Sequence, residues 1–186
     1  MDVQLLRRRF SVEEYHRMGQ AGVFSEDDRV ELIEGEIIEM TPIGARHAAC
    51  VRRLGHLFNS LLGQRITVSV QSPLGLGLHS EPQPDLALLR PRPDFYAQAH
   101  PGPEDVWLVV EVADTSVEFD RTVKIPLYAR AGIPNAWLVD LSTETVEEYR
   151  DPTPDGYRNF RRIPRGETIS LEAFRDVSLT VETILG

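Results

Sequence analysis

Three residues of this chain combine types and spacing that suit phosphoryl chemistry: Asp85, Glu111 and Lys124. Asp85 follows Glu81-Pro82-Gln83-Pro84 at the mouth of an apolar run, Leu86 to Leu89. Glu111 lies inside a second run, Trp107 to Ala113. Lys124 closes Asp120-Arg121-Thr122-Val123-Lys124, which opens a helix. Two carboxylates on neighbouring strands can hold a hard divalent cation, and a nearby ammonium can stabilise an anionic transition state. Asp85 and Glu111 are 26 positions apart, so adjacent antiparallel strands would let both side chains converge on one ion. Trp107, Val109 and Glu111 alternate onto one face. Glu111 therefore interrupts an apolar face, where a carboxylate is costly to bury unless paired or metal-bound. The competing reading is a strand-end carboxylate paired to an arginine. Lys124 is the single lysine among 20 basic residues; its competing reading is a surface helix lysine paired to Asp120.

Other polar residues carry weaker signals. His47, at the start of a long helix, faces the site or serves structure. Gln71 precedes the first acid and could hydrogen-bond a metal-held water. His79 is near Asp85 in sequence, but a loop histidine is usually only solvated. Asp114, Ser116 and Asp120 suit turn and N-cap chemistry, and Asp140 suits a cap on the turn after its strand. Gly75-Leu76-Gly77 lacks the strand–helix context and third glycine of a nucleotide fingerprint. Cys50 sits mid-helix on an apolar face and reads as core.

The elements that must position these groups are legible in the pattern. Ser11-Val12-Glu13-Glu14 matches a capping box, so a helix should run to about Met18, stopped by Gly19 and Gly22. Val30 to Ile33 and Glu36 to Met40 form a hairpin around Glu34-Gly35. Apolar residues at 48, 51, 54, 58, 61 and 62 predict a helix from about Ala45 to Leu62, ended by Gly63. Ile66 to Val70 alternates like a strand, Asp85 to Leu89 is another, and Val106 to Ala113 is apolar on both faces, as a central strand is. Pro91 to Asp105, with four prolines, reads as a surface loop or a lid. Val117 to Thr122 leads into a helix ending near Ala131-Gly132. Pro126 is tolerable only near a helix start, which puts Lys124 in or close to the first turn. Ala136 to Leu141 is a buried strand, Thr145 to Arg150 and Tyr157 to Ile163 are two more, and the tail from Leu171 to Leu185 should pack at an edge.

A chain of 186 residues with 41% hydrophobic content fits one globular α/β domain, residues 1–186. One cysteine precludes an intrachain disulfide and suits a reducing cytoplasm. No apolar run is long enough to span a membrane. The first ten residues carry Arg7-Arg8-Arg9 without an apolar stretch, unlike a signal peptide. The net charge of -9 weighs against a DNA-coating protein, since phosphate neutralisation needs clustered basic residues. It leaves room for a nuclease with local patches: Arg7 to Arg9, Arg52-Arg53, Arg90 with Arg92, and Arg161, Arg162 and Arg165.

Pro84-Asp85, the strand end Val110-Glu111-Val112-Ala113, the block Lys124 to Asp140 and the hairpin Val30 to Ile38 together resemble the Uma2 family of endonucleases, within the PD-(D/E)xK restriction-endonuclease-like superfamily. The resemblance covers about Phe10 to Tyr149. It implies a central mixed β-sheet flanked by helices, with an N-terminal helix and β-hairpin, and Mg²⁺ (Mn²⁺ as a substitute) at the strand ends. It makes Asp85 and Glu111 the acids of the motif and Glu31 an additional acid from the N-terminal region. The third motif position is Ala113 rather than lysine, a departure from the superfamily pattern, and Lys124 stands where the Uma2 lysine is relocated to the following helix. The implied mechanism has Asp85, Glu111 and the Val112 carbonyl binding Mg²⁺, with Glu31 acting through water and Lys124 offsetting transition-state charge. Hard oxygen ligands favour magnesium over zinc. DNA is the implied substrate and a homodimer the expected assembly. The alternatives are a catalytically inactive module of the same fold that binds nucleic acid or protein, and a phosphodiesterase for a smaller ester. Arginine patches clustered around Asp85 would favour DNA; dispersed ones would favour the alternatives.

Overall fold

The structure, a computed structural model, describes residues 7–25 and 27–186. The reading of the N-terminus as unlike a signal peptide falls partly on residues 1–6, which lie outside the described residues. Helix α1 spans Val12–Gln20 and opens on the expected capping box: the Glu14 amide donates to Ser11 Oγ and the Ser11 amide to the Glu14 carboxylate. It runs through Gly19, and the chain breaks out only at Gly22, whose φ of +73° is left-handed. Strands β1 (Val30–Ile33) and β2 (Glu36–Glu39) pair antiparallel. Their turn residues Glu34 and Gly35 both have positive φ, the geometry that matches the twist of a two-residue hairpin. Gly35 is also required by space, because a Cβ there would stand 2.5 Å from Cβ of Arg9.

Helix α2, Ala45–Leu62, lays Cys50, Val51, Leu54, Phe58 and Leu62 onto a six-stranded sheet. Spacings of three and four residues put these side chains on one helix face. The sheet consists of β3 (Thr67–Val70), β4 (Leu86–Leu89), β5 (Val106–Ala113), β6 (Asn135–Asp140), β7 (Thr145–Thr153) and β8 (Gly156–Pro164), in that spatial order. All neighbours are antiparallel except β5 and β6, which are parallel. A parallel pair needs a crossover, and residues 117–130 supply it. Leu108, Val110, Val112, Trp137 and Val139 face α2, while Val109, Ala113, Ala136 and Leu138 face Tyr128 and Ile125 of the crossover. This two-sided burial explains why β5 and β6 read as continuous apolar runs.

Four expectations are refined or corrected. The crossover is a single helical path broken in the middle: α3 (Val117–Phe119), a π-helical turn (Asp120–Lys124) and α4 (Ile125–Arg130). Lys124 stands immediately before α4, close to its first turn as expected, and the π-helical turn joins it to α3. The Ile125 amide reaches back five residues to the Asp120 carbonyl, and widening the ladder just before Pro126 accommodates a residue that has no N–H to give. Secondly, Trp107 does not share a face with Val109 and Glu111. The β4–β5 register shifts between Leu88 and Leu89, and such an irregularity re-aims a side chain. Trp107 packs on the α2 side against Phe174, under the Arg90 guanidinium. Thirdly, the tail is not an edge element. Strands β9 (Thr168–Leu171) and β10 (Phe174–Thr180) make a separate hairpin followed by α5 (Val181–Leu185), and they bury Leu171, Phe174, Leu179, Val181 and Ile184 in the α2-side core. Finally, of the two readings of Pro91 to Asp105, surface loop and lid, the surface loop holds and the lid does not. It joins the far ends of β4 and β5, where the Arg90 amide bonds the Asp105 carbonyl at 2.7 Å and the Gly75 amide bonds the Pro101 carbonyl at 2.9 Å.

Candidate active site

The antiparallel register pairs Leu86 with Val110, which brings Asp85, just before β4, level with Glu111 near the end of β5. The Asp85 amide stands 3.4 Å from Glu111 Oε2. The Asp85 carboxylate is held on three sides: Val112 donates its amide to Oδ2 at 2.9 Å, His47 places Nε2 2.9 Å from the same oxygen, and Gln71 donates to Oδ1 at 3.1 Å. His47 comes from the first turn of α2 and Gln71 from the residue after β3, where its φ of +46° is left-handed.

Glu31 arrives from a separate module. The β1–β2 hairpin is tied to the body by a bridge between Leu32 and Glu81, with the Glu81 amide bonding the Leu32 carbonyl at 2.8 Å. That bridge sets Glu31 beside Gln83, whose amide donates to Glu31 Oε2 at 2.9 Å. Lys124 then links the pieces. Its Nζ is 2.8 Å from Glu111 Oε1, 3.3 Å from Glu31 Oε2 and 3.5 Å from the Gln83 carbonyl. It is only 3% exposed, so the expected surface pairing with Asp120 does not describe it. Asp120 is itself buried, with Ser116 donating to it at 2.6 Å. Tyr128 donates a short hydrogen bond to Glu111.

Three buried carboxylates, Glu31, Glu111 and Asp120, thus act on one buried ammonium, and a fourth, Asp85, lies beside Glu111. They line an open cavity of about 470 Å³ whose rim includes Arg29, Met40, Ile43, Asp114 and Phe119. Burial and neighbouring charge both act on the titration of these groups. Burial pushes Glu111 up to about 8, against the opposing pull of Lys124. Asp120 is raised by burial too. Burial works against the charge on Lys124, yet Glu111, Glu31 and Asp120 around it hold its pKa above the ordinary lysine value. Burial also works against Asp85, but His47, the Val112 amide and Gln71 outweigh it and keep that carboxyl below its usual range. His47 is raised, first by its hydrogen bond to Asp85.

The structure brings together Asp85, Glu111, Lys124, Glu31 and Val112, all of them singled out in the sequence. His47 and Gln71 also reach the cavity, and both bond Asp85 directly. His79 is elsewhere, with Nδ1 2.8 Å from the Phe10 carbonyl. Asp140 caps its turn, accepting from Ser142 and Thr143, and Cys50 is core. Sequence reasoning missed Tyr128 and gave Asp120 only capping or a surface pairing with Lys124. A usable signal existed for Tyr128, since a residue four beyond Lys124 on a helix shares its face.

The arginine patches are dispersed. Arg7 and Arg8 pair with Glu36 and Glu14, Arg53 bonds the Ile184 and Leu185 carbonyls, Arg92 pairs with Asp94, and Arg161, Arg162 and Arg165 pair with Glu148, Glu147 and Glu144. Arg29 lines the cavity, and Arg46 stands near it, 3.4 Å from Asp114.

Comparison with known proteins gives a consistent frame. The profile of the Uma2 family, described as "Putative restriction endonuclease", matches residues 12–182. A solved structure titled as a putative nuclease belonging to DUF820, from Anabaena variabilis ATCC 29413, superposes with a TM-score of 0.76 at 16% identity. The match covers 95% of this chain and 97% of that one. At that identity the likeness establishes the fold: a six-stranded mixed sheet flanked by helices. A search of curated proteins finds no match. Among the described residues no helix is long and apolar enough to cross a membrane.

Proposed function

This chain belongs to the Uma2 family, and we propose that it is a Mg²⁺-dependent endonuclease hydrolysing phosphodiester bonds of DNA, with Asp85, Glu111 and Lys124 as catalytic residues and Glu31 assisting. The observation that carries the reading is that four buried carboxylates and a single lysine line one open cavity at paired strand ends. Burial, with Asp120 and Asp85 adding to it, raises the Glu111 pKa despite Lys124, so holding these carboxylates ionised together is costly. A hard dication is the chemistry that relieves it. The donor set fits magnesium or manganese. Asp85 and Glu111 offer carboxylate oxygens, and the Val112 carbonyl points to the same side of β5 as the Val112 amide that reaches Asp85. When bound, the ion would neutralise phosphate charge and acidify water.

The chain's own residues have definable roles in this reading. His47 and Gln71 orient the Asp85 carboxylate and keep it ionised. Tyr128 fixes the Glu111 rotamer. Lys124, positioned by Glu31 and the Gln83 carbonyl, supplies a fixed positive charge where the five-coordinate phosphorus builds up negative charge. Water attacks phosphorus, the P–O bond to the leaving sugar oxygen breaks, and that oxygen takes up a proton. The described residues carry one such cluster, so cutting both strands of a duplex calls for two copies, and we assign a homodimer to the active form. A reducing cytoplasm suits a chain whose single cysteine, Cys50, is buried as a free thiol.

A second reading has specific support. The arginine patches are dispersed and mostly paired with carboxylates, so the described residues offer no long basic groove. That favours a short or single-stranded phosphodiester, or a non-catalytic module that binds nucleic acid or protein. The deciding experiment compares wild type, Asp85→Ala and Lys124→Ala on supercoiled and single-stranded DNA with Mg²⁺, Mn²⁺ and EDTA. Metal-dependent cutting abolished by Asp85→Ala and reduced about 10²–10³-fold by Lys124→Ala is expected. Loss only with Asp85→Ala would leave Lys124 a structural ion pair. Absence of both cutting and calorimetric Mg²⁺ binding would overturn the enzymatic reading.

A further inference from the structure

A second set of metal-ligating side chains lies outside the cavity. His16 on α1 places Nε2 2.8 Å from Glu81 Oε1. The His100 ring stands edge-on to His16 with centroids 6.3 Å apart. One ligand atom from each of the three residues lies within 4.8 Å of the other two. We infer that His16, Glu81 and His100 form a binding site for a transition-metal dication of the Zn²⁺ class, separate from the Asp85–Glu111 cluster, which fastens α1 to the body of the protein.

Donor chemistry separates the two sites. Two imidazoles and one carboxylate suit zinc and its neighbours, whereas an all-oxygen set suits magnesium. Three protein ligands with water in the remaining position is a common zinc arrangement. Two donors on a tetrahedral Zn²⁺ stand about 3.3 Å apart, given bonds of about 2.0–2.1 Å. The His16–Glu81 pair must open by a few tenths of an ångström and His100 must close, both within reach of exposed side-chain rotation. The burial pattern fits as well. Glu81 is buried while both histidines are exposed, so the anionic ligand forms the floor and the neutral ligands the mouth. Among the described residues the Glu81 carboxylate has one hydrogen-bond partner, His16. A dication would join this pair to His100.

The fold gives the site a purpose. Helix α1 buries no residue, so apolar packing does little to hold it. It is attached by the Val12 amide to the Leu78 carbonyl, by the Tyr15 hydroxyl to the Val30 carbonyl, and by His16 to Glu81. A metal bridging His16, Glu81 and His100 would join three segments remote in sequence, closing a loop of 65 residues between His16 and Glu81 alone. Its free energy of binding would then be free energy of docking. Glu81 is also the residue whose amide bonds Leu32, next to Glu31, so the same ion stiffens the support of the hairpin that carries Glu31.

The test uses the full chain with Asp85→Ala as background, which disables the oxygen-rich site. Zn²⁺ and Co²⁺ are titrated at pH 7.5. The readouts are bound stoichiometry, the visible absorption of nitrogen-ligated Co²⁺, and trypsin cleavage within α1. One equivalent should bind, with a low-coordinate Co²⁺ band and protection of Arg17. Adding His16→Gln and His100→Gln should weaken binding by more than the ~10–100-fold that loss of an outer-shell partner costs, and should remove both the band and the protection. His100 makes no hydrogen bond among the described residues, so His100→Ala alone is a second variant that leaves the fold intact, and it too should lose the band. An Asp85→Ala chain that binds no Co²⁺ overturns the inference, as does one whose affinity and spectrum survive removal of both histidines. The outcome is independent of DNA cleavage.

Discussion

Replacing Lys124 with methionine keeps the length of the side chain and removes the one buried cation of the site. The Nζ distances of 2.8 Å to Glu111 and 3.3 Å to Glu31 correspond to gross attractions of about 6 and about 5 kcal/mol at an effective dielectric of about 20. Desolvation of the ammonium offsets much of this, and orphaning a buried partner costs about 3–5 kcal/mol in practice. The pH dependence identifies which partner is orphaned. Glu111 in the folded protein titrates at about 8, above its ordinary 4.5. The folded state therefore binds the extra proton, and wild-type stability falls from about pH 4.5 to about pH 8, then levels off. Without Lys124 the folded pKa rises further and the fall continues past pH 8, at about 1.4 kcal/mol per pH unit. Urea unfolding in EDTA should show a cost of about 3 kcal/mol at pH 6 and about 5 kcal/mol at pH 9.5. A cost below about 1 kcal/mol, or one that stays flat between the two pH values, would refute the idea that Lys124 balances the charge of Glu111.

Further outcomes follow from the same geometry. His47 is a main reason Asp85 titrates low. His47→Ala should therefore raise the Asp85 pKa and move the acid limb of metal-dependent cleavage to higher pH; an unmoved limb would separate His47 from Asp85 function. Tyr128→Phe removes the hydroxyl bonded to Glu111 and should cost about 1–3 kcal/mol in chemical denaturation, with cleavage reduced through a looser Glu111. Gly35→Ala meets both a φ of +82° and the Arg9 side chain. It should destabilise the hairpin by more than about 1 kcal/mol and lower cleavage, because Glu31 rides on that hairpin. Phe58→Ala empties a fully buried site against Trp137 and should cost about 3–5 kcal/mol, read as a lower melting temperature.

Much of this protein is determined locally, and those parts are legible in the residues. The Ser11–Glu14 capping box, the Glu34-Gly35 hairpin and the helical period from Ala48 to Leu62 each depend on side chains a few positions apart, so the sequence by itself determines them. Asp85 and Glu111 are legible for a related reason. Each interrupts or borders an apolar run, and an antiparallel pairing of two consecutive strands is enough to bring them level. The tertiary structure decided what depends on long-range closure. Lys124 turns inward because Pro126 has no N–H and the crossover answers with a π-helical turn. Tyr128 meets Glu111 only once the crossover helix packs on the sheet. The tail covers the α2-side core because Phe174, Leu179 and Ile184 find apolar partners there that no local pattern announces. The arginines look like patches in the chain, but the fold sets many of them beside partners remote in sequence, as with Arg162 and Glu147 or Arg53 and the Leu185 carbonyl. Short-range geometry is fixed by propensity and periodicity, whereas a side chain's charge partner is fixed by the packing of elements far apart in sequence.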